Sequence, residues 1–326
     1  MSSRSRAKEA PAAPRFSVVT PAYNTNAYVA TAIRSVQLQT WPDFEVIVVD
    51  DGSTDDTASQ VLAFSDDPRV RLIRQGNAGP SAARNTAIAA ARGEYVCMLD
   101  SDDLWVPRYL EVMGAALDAD PEAGFAYTDA WVLDEATGRV RRTSMMHYQR
   151  PPAAPPTDAG AFLRLLLDRN FVYTSVTVRK RVLEDVGGFD ERLWAAEDWE
   201  LWLRIAAAGH RALRPEGLLA IHRLRRGSLS ADLLSMIDGV CEMYRIIEEE
   251  WETTHDVREV ASAERALWQR QLDLRRSPHV RASPSERALQ AARAVKRAIR
   301  GRRLWLSYLP PEIQATLAAV GVEPTR

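Results

Sequence analysis

The chain predicts an α/β fold built on a mainly parallel sheet with helices on both faces. Short apolar, β-branched runs alternate with stretches of helical periodicity, a spacing that calls for crossover connections and a sheet covered on both sides. Three of those runs also end in polar or acidic tips: Pro21-Ala22-Tyr23-Asn24, Asp50-Asp51-Gly52-Ser53 and Asp100-Ser101-Asp102. Parallel sheets bind ligands at the carboxyl ends of their strands, so the three tips should converge on one crevice.

In order, Phe16 to Thr20 reads as a strand ended by Pro21, and Tyr28 to Leu38 as a helix with Val29, Ile33 and Val36 on one face. Phe44 to Val49 is a second strand and Val70 to Ile73 a third, separated by a helix over Thr54 to Phe64 opened by Ser53 or Thr54. An alanine-rich helix from Ser81 to Ala91 leads into a strand from Tyr95 to Leu99. Phe125 to Tyr127, Ala130 to Leu133 and Ser175 to Val178 are further strands, with a helix around Ala161 to Leu167. The proline-rich run Pro151 to Pro156 reads as a loop beside the site. From Ala231 the chain is helical, with breaks at Ser277-Pro278 and Pro310-Pro311. The expected organisation is a disordered leader over 1–15, an α/β domain over 16–230 and a helical, basic extension over 231–326.

The 326 residues carry a formal net charge of −2. Ten basic residues from Arg275 to Arg303 face Glu286 alone, so the rest of the chain is strongly acidic. Cys97 and Cys241 lie far apart, and Cys97 sits in an apolar strand, which favours buried thiols and a cytoplasmic setting over a disulfide scaffold. No apolar run is long enough to span a bilayer, and the polar N-terminus lacks the apolar core of a signal peptide.

The chemistry concentrates where strands end. Asp100, Asp102 and Asp103 place three carboxylates in four positions, which costs free energy unless a cation or hydrogen bonds neutralise them. Hard divalent ions such as Mn²⁺ or Mg²⁺ take oxygen ligands of this kind; the plainer reading is that Asp103 caps a helix beginning at Leu104. Asp50 and Asp51 at a glycine turn can accept from a base or ribose, or can simply form a turn and cap. Tyr23 can stack on a nucleobase or shield a strand end. Arg84, one turn into its helix, can meet an anion or lie in solvent. Glu197 and Asp198 open a helix whose dipole favours acids, yet Trp194, Trp199 and Trp202 around them would form a wall suited to a sugar ring and able to raise a carboxyl pKa. A carboxylate in such a place can deprotonate a hydroxyl.

Taken together, Pro21-Ala22-Tyr23-Asn24, Val49-Asp50-Asp51-Gly52-Ser53, Ala83-Arg84-Asn85, Leu99 to Asp103, Gly187-Gly188-Phe189-Asp190 and Glu197-Asp198 resemble the family 2 inverting glycosyltransferases of GT-A fold, over about Phe16 to Ser230. The resemblance implies a nucleotide-diphosphate sugar donor, with Tyr23 and Asp51 at the base and Pro21, Asp50 and Arg84 near the nucleotide. Asp100 would meet ribose or metal, Asp102 would ligate Mn²⁺ or Mg²⁺, and Asp198 would be the general base. Glu197, Trp194 and Trp199 are the expected acceptor or sugar contacts. One departure stands out: many relatives carry histidine where this chain has Arg225, with His222 three residues earlier. Arginine cannot ligate a metal but pairs bidentately with phosphate, so Arg225 or Arg226 is expected at the diphosphate, with weaker metal dependence; the plainer reading is a pair of surface loop arginines.

The implied function is metal-assisted, inverting sugar transfer to a hydroxyl of a glycan or lipid-linked glycan. The rival readings are a nucleotidyltransferase, disfavoured by the absence of a glycine-rich basic loop after the first strand, and an inactive nucleotide-sugar-binding scaffold. The helix expected over Ser285 to Arg300, followed by Leu304 to Leu309, suits either an anionic membrane surface at the inner face of the membrane or docking on the acidic body or a second subunit. No nucleic-acid-binding module is visible.

Overall fold

The computed structural model describes residues 13–141, 143–173, 175–276 and 310–323. The readings placed on residues 1–12 and on the basic stretch 277–309 lie outside the described residues. Arg15, assigned above to the leader, is anchored: its N–H donates to Asp43 and its guanidinium pairs with Asp118.

Seven strands form the central sheet in the order β10-β6-β9-β4-β1-β2-β3. Its parallel core is β1 (Phe16–Ala22), β2 (Phe44–Asp51), β3 (Val70–Gln75) and β4 (Tyr95–Met98). Beyond β4, β9 (Val176–Arg179) runs antiparallel to both β4 and β6 (Ala123–Tyr127), and β10 (Arg211–Leu213) is parallel to β6. β1 extends through Pro21 instead of ending there. Its pairing with β4 stops at Val19, so the missing proline N–H breaks no bond on that side, and Pro21 stays in register with Val49.

A second, four-stranded sheet has the order β5-β11-β7-β8, from β5 (Leu104–Trp105), β11 (Leu218–Leu224), β7 (Asp129–Asp134) and β8 (Arg139–Val140). It corrects one expectation. Leu104-Trp105 is a strand paired with β11, and the following helix starts only at Tyr109, so Asp103 caps nothing. Its carboxylate is drawn to β11 instead, accepting from the Arg223 N–H at 2.9 Å and facing His222 Nδ1 at 3.1 Å.

The helices α1 (Val29–Gln37), α2 (Thr57–Leu62), α3 (Pro80–Ala90), α4 (Tyr109–Ala119), α5 (Ala159–Asp168), α6 (Lys180–Val186) and α7 (Glu197–Ala207) connect the strands. α2 is shorter than its periodicity suggests because residues 53 and 54 serve another purpose. Asn24 donates its N–H to Ser53 Oγ (3.0 Å), and its Oδ1 accepts from the Thr54 N–H (2.9 Å), which ties the tip of β1 to the tip of β2.

Two apolar cores lie on the two sides of the central sheet. One gathers Val19, Ile47, Val49, Val96 and Val178 with residues from α3, α5 and α7; the other gathers Val18, Val46, Val48 and Cys97 with residues from α1 and α4. The C-terminal helices share these cores. Val240, Met243 and Tyr244 of α8 (Leu233–Glu250) and Val257 and Ala261 of α9 (His255–Arg276) belong to the first, and Ile313 and Leu317 of α10 (Pro311–Ala319) to the second. α8 approaches closely at Gly239, where a Cβ would stand 2.5 Å from the Ala195 carbonyl oxygen, just before α7. Both cysteines are free and buried. Among the described residues, no helix is long and apolar enough to cross a membrane.

Candidate active site

The tips of β1, β2 and β4 open into a cavity of about 550 Å³. Its lining brings together Pro21, Tyr23, Asp51, Arg84, Asp100, Asp102, Trp194, Glu197, Asp198 and Arg225, residues that the chain spreads over two hundred positions. Two of the predicted residues stand elsewhere. Asp50 is fully buried, accepting from the Ser53 N–H at 3.0 Å and pairing with Arg74 at 3.2 Å, so it shapes the turn from behind. Trp199 points into the core: its indole N–H donates to the Leu166 carbonyl at 2.8 Å and its ring meets Tyr244 edge-on. Trp202, likewise, is fully buried and stacks on Phe125. Of the expected tryptophan wall only Trp194 borders the cavity, half exposed.

Asp51 organises the floor. One oxygen accepts from Gln75 Nε2 (2.8 Å) and the Ala78 N–H (3.0 Å), the other from the Gly79 N–H (2.9 Å). Those bonds pin the loop that leads into α3. Gly79 itself has φ of +94°, and a Cβ there would press on the Trp194 ring at 3.3 Å, so glycine permits both the turn and the tryptophan's position.

α3 then delivers Arg84. Its Nη1 donates to Glu197 Oε1 and its Nη2 to Asp100 Oδ1, each at 2.7 Å. Burial works against the guanidinium's charge, but Asp100 and Glu197 outweigh it and hold Arg84 protonated. The next residue, Asn85, clasps the Phe189 backbone through both of its amide atoms, at 2.8 and 2.9 Å. Gly188 lies against it with φ of +73°, where a Cβ would come 2.7 Å from Asn85 Oδ1. Two of the motifs noted in the sequence are thus halves of one clasp that sets α7 opposite α3.

Every member of the acidic triplet has its own cation. Asp100 has Arg84; Asp102 has Arg225, whose Nε donates to Oδ2 at 2.6 Å; Asp103 has His222. Burial, reinforced by the charges of Asp103 and Asp100, still pushes Asp102 up to about 6, against the pull of Arg225. Burial alone would lower His222, but Asp103, Asp102 and Asp100 push it up to about 9, so it is charged at neutral pH. Asp198, in the first turn of α7, accepts the Trp199 N–H at 2.7 Å and has no ion pair among the described residues. Burial and the neighbouring Glu197 carboxylate push it up to about 7. Such a carboxyl changes protonation near neutral pH, as a general base requires.

The cavity also takes in Asn170, Tyr173 and Met236, which no motif in the sequence singles out, and Met145, which opens the loop from Met145 to Thr157 that the sequence suggests as shaping the donor pocket. Asn170 and Tyr173 come from an irregular stretch after α5, Met145 from a short 3-10 turn, and Met236 from α8. Asn170 and Tyr173 sit in no periodic run and beside no glycine turn, and Met236 lies in a helical run that carries no motif. His222 and Arg223 line it from β11, a strand whose partner could not be read locally.

The chemistry of the donor set bears on the expected metal. Among the described residues no group of three or more His, Cys, Asp or Glu side chains is arranged to hold an ion. Asp102, with Asp100 beside it, can offer oxygen to a divalent cation that brings further oxygen ligands with it, as a phosphate-bound ion does.

Comparison with known proteins agrees with this architecture. The family described as glycosyl transferase family 2 matches residues 17–187. The succinoglycan biosynthesis protein ExoO of Rhizobium meliloti is 35% identical over 231 residues, covering 70% of this chain and 66% of that protein. The chain spans smaller shares, from 16% to 31%, of several other curated relatives. Among solved structures, TarS residues 1–349 of S. aureus superposes with a TM-score of 0.61 at 22% identity, over 84% of this chain and 77% of that one. The mannosyltransferase PcManGT of Pyrobaculum calidifontis, in complex with GDP-Man and Mn²⁺, gives 0.57 at 21% identity, over 95% and 86%. At these identities the solved structures establish the GT-A fold.

Proposed function

The chain belongs to glycosyl transferase family 2, and we propose that it transfers a sugar from a nucleoside diphosphate donor to a hydroxyl of a glycan or lipid-linked glycan, inverting the anomeric centre. The observation that carries this reading is the pairing of two unlike ends in one cavity. Tyr23 and the Asp51-pinned loop offer a flat ring and polar edge suited to a nucleobase, while Asp198, pushed up to about 7, stands on the α7 side. TarS has been solved with UDP and with UDP-GlcNAc, and PcManGT with GDP-Man, so nucleotide sugars are the ligands of two proteins of this fold.

In the proposed reaction Asp198 takes the acceptor's hydroxyl proton as its oxygen bonds to the anomeric carbon. The bond from that carbon to the diphosphate oxygen breaks, and the leaving group keeps the electron pair. Attack opposite the leaving group inverts the centre in a single displacement. Arg84 keeps Glu197 and Asp100 in place, and Arg225 is positioned to answer the charge that grows on the diphosphate. Asp102, with Asp100, would hold Mn²⁺ or Mg²⁺, which when bound would supply charge neutralisation at the phosphates. Glu197 and Trp194 are the proposed contacts of the transferred sugar or acceptor.

Calorimetric titration with UDP, GDP and dTDP, each with and without Mn²⁺, tests the donor site. Saturable binding of one of them, weakened in Tyr23→Ala, is the expected result. Absence of binding by all three would refute the reading.

A further inference from the structure

The acidic triplet meets three cations of its own chain, and they are not held alike. Arg84 is buried and forked between two carboxylates. His222 is carried on β11, whose backbone is locked to Asp103 through the Arg223 N–H. Arg225 lies just past the end of β11, where Arg226 and Gly227 are exposed, and among the described residues Asp102, at 2.6 Å, is its one carboxylate partner. Its guanidinium also rests 5.2 Å from the centre of the Tyr28 ring, and that of Arg223 lies 5.1 Å from the same ring. A cation–π contact of this kind is weak enough to exchange for a stronger partner.

Asp102 and Arg225 both line the cavity. A guanidinium paired with a single carboxylate gains by meeting a phosphate, which accepts two of its N–H groups and carries more charge. Resting on the reading of the cavity as a nucleoside diphosphate site, we infer that Arg225 is a tethered cation that occupies Asp102 until the donor arrives and then pairs with its diphosphate. Arg225 and a divalent ion thus compete for Asp102, and the chain binds a nucleoside diphosphate without added metal.

Calorimetry with UDP, GDP and dTDP on the wild type, Arg225→Gln and Arg225→Lys, each in EDTA and in Mn²⁺, tests this. The wild type should bind one nucleotide in EDTA. Arg225→Gln should lose about 10- to 100-fold in EDTA, the value of one charge-assisted contact, and recover much of it in Mn²⁺. Mn²⁺ alone should bind Arg225→Gln more tightly than wild type, because Asp102 is released. Arg225→Lys, which keeps a point charge, should stay closer to wild type in EDTA. Wild-type binding that vanishes in EDTA overturns the inference, as does equal metal dependence in wild type and Arg225→Gln; either leaves the nucleotide site standing. Failure of all three nucleotides with and without Mn²⁺ overturns both. Should Arg225→Gln fail to fold, the wild-type and Arg225→Lys titrations in EDTA still decide.

Discussion

Arg84 Nη1 lies 2.7 Å from Glu197 Oε1, across 113 residues of chain, and both side chains are buried. The contact joins the second turn of α3 to the first residue of α7. Removing one partner of a buried pair leaves the other uncompensated. Arg84→Ala should therefore cost about 3–5 kcal/mol of stability. Arg84→Lys should also destabilise, by roughly 1–3 kcal/mol, since an ammonium cannot span Glu197 and Asp100 with a planar fork. Thermal melts of the two variants would check both, and an unchanged Arg84→Lys would count against the forked arrangement.

Asp198→Asn should lower turnover by about 10²- to 10⁴-fold while leaving nucleoside diphosphate affinity near wild type. Because the wild-type carboxyl is pushed up to about 7, its basic form dominates only above that pH. The rate should rise about tenfold per pH unit below 7 and flatten above it. A wild-type profile flat from pH 5 to 9 would remove Asp198 from the role of base.

The same group makes a stability prediction. Its folded pKa, about 7, exceeds the ordinary value of 3.8, so between those pH values the folded chain keeps a proton that the unfolded chain releases. Its contribution is fully present below about pH 4 and is lost as pH rises through 7. Asp198→Asn removes that slope and should melt higher than wild type at pH 8, with the gap closing towards pH 4. Parallel melting curves across that range would show that Asp198 is not held in this way.

Tyr23, about half exposed on the rim of the cavity, is the expected stacking partner of the base. Tyr23→Ala should weaken the bound nucleotide by about 1–3 kcal/mol, and Tyr23→Phe should change little. Calorimetry on the two variants separates stacking from a role of the hydroxyl.

Gly52 has φ of +75°, and a Cβ there would stand 2.7 Å from the Asn77 backbone nitrogen. Gly52→Ala should cost about 1–3 kcal/mol and weaken nucleotide binding, since Asn77 begins the loop that Asp51 pins. A folded variant with wild-type affinity would show that this loop is not part of the base site.

Much of this site was legible because its residues sit where strands end. Asp51, Arg84, Asp100, Asp102 and Asp198 each follow a local signal: an apolar run closing in acid, a Gly-Pro helix start, or acids opening a helix. Local signals do not say which way a side chain faces. Trp199 and Trp202 share a helix with Asp198, but the packing of α7 on α5 and on β6 turns both indoles inward. Asp50 differs from Asp51 by one position, and strand alternation sends it to the other face of the sheet. Asp103 reads as a helix cap until β11, more than a hundred residues later, pairs with β5 and supplies His222 and Arg223.

By itself the sequence determined the α/β class, the alternation of strands and helices as far as β4 and the convergence of three polar or acidic strand tips. Periodicity and turn chemistry act over a few residues and are written locally. Only the tertiary structure decided the second sheet, the Asn85–Phe189 clasp, the share of the core taken by α8 and α9, and the matching of each acid to its own cation. Those depend on contacts between segments remote in the chain, where burial and charge at one residue are set by neighbours that no local pattern names.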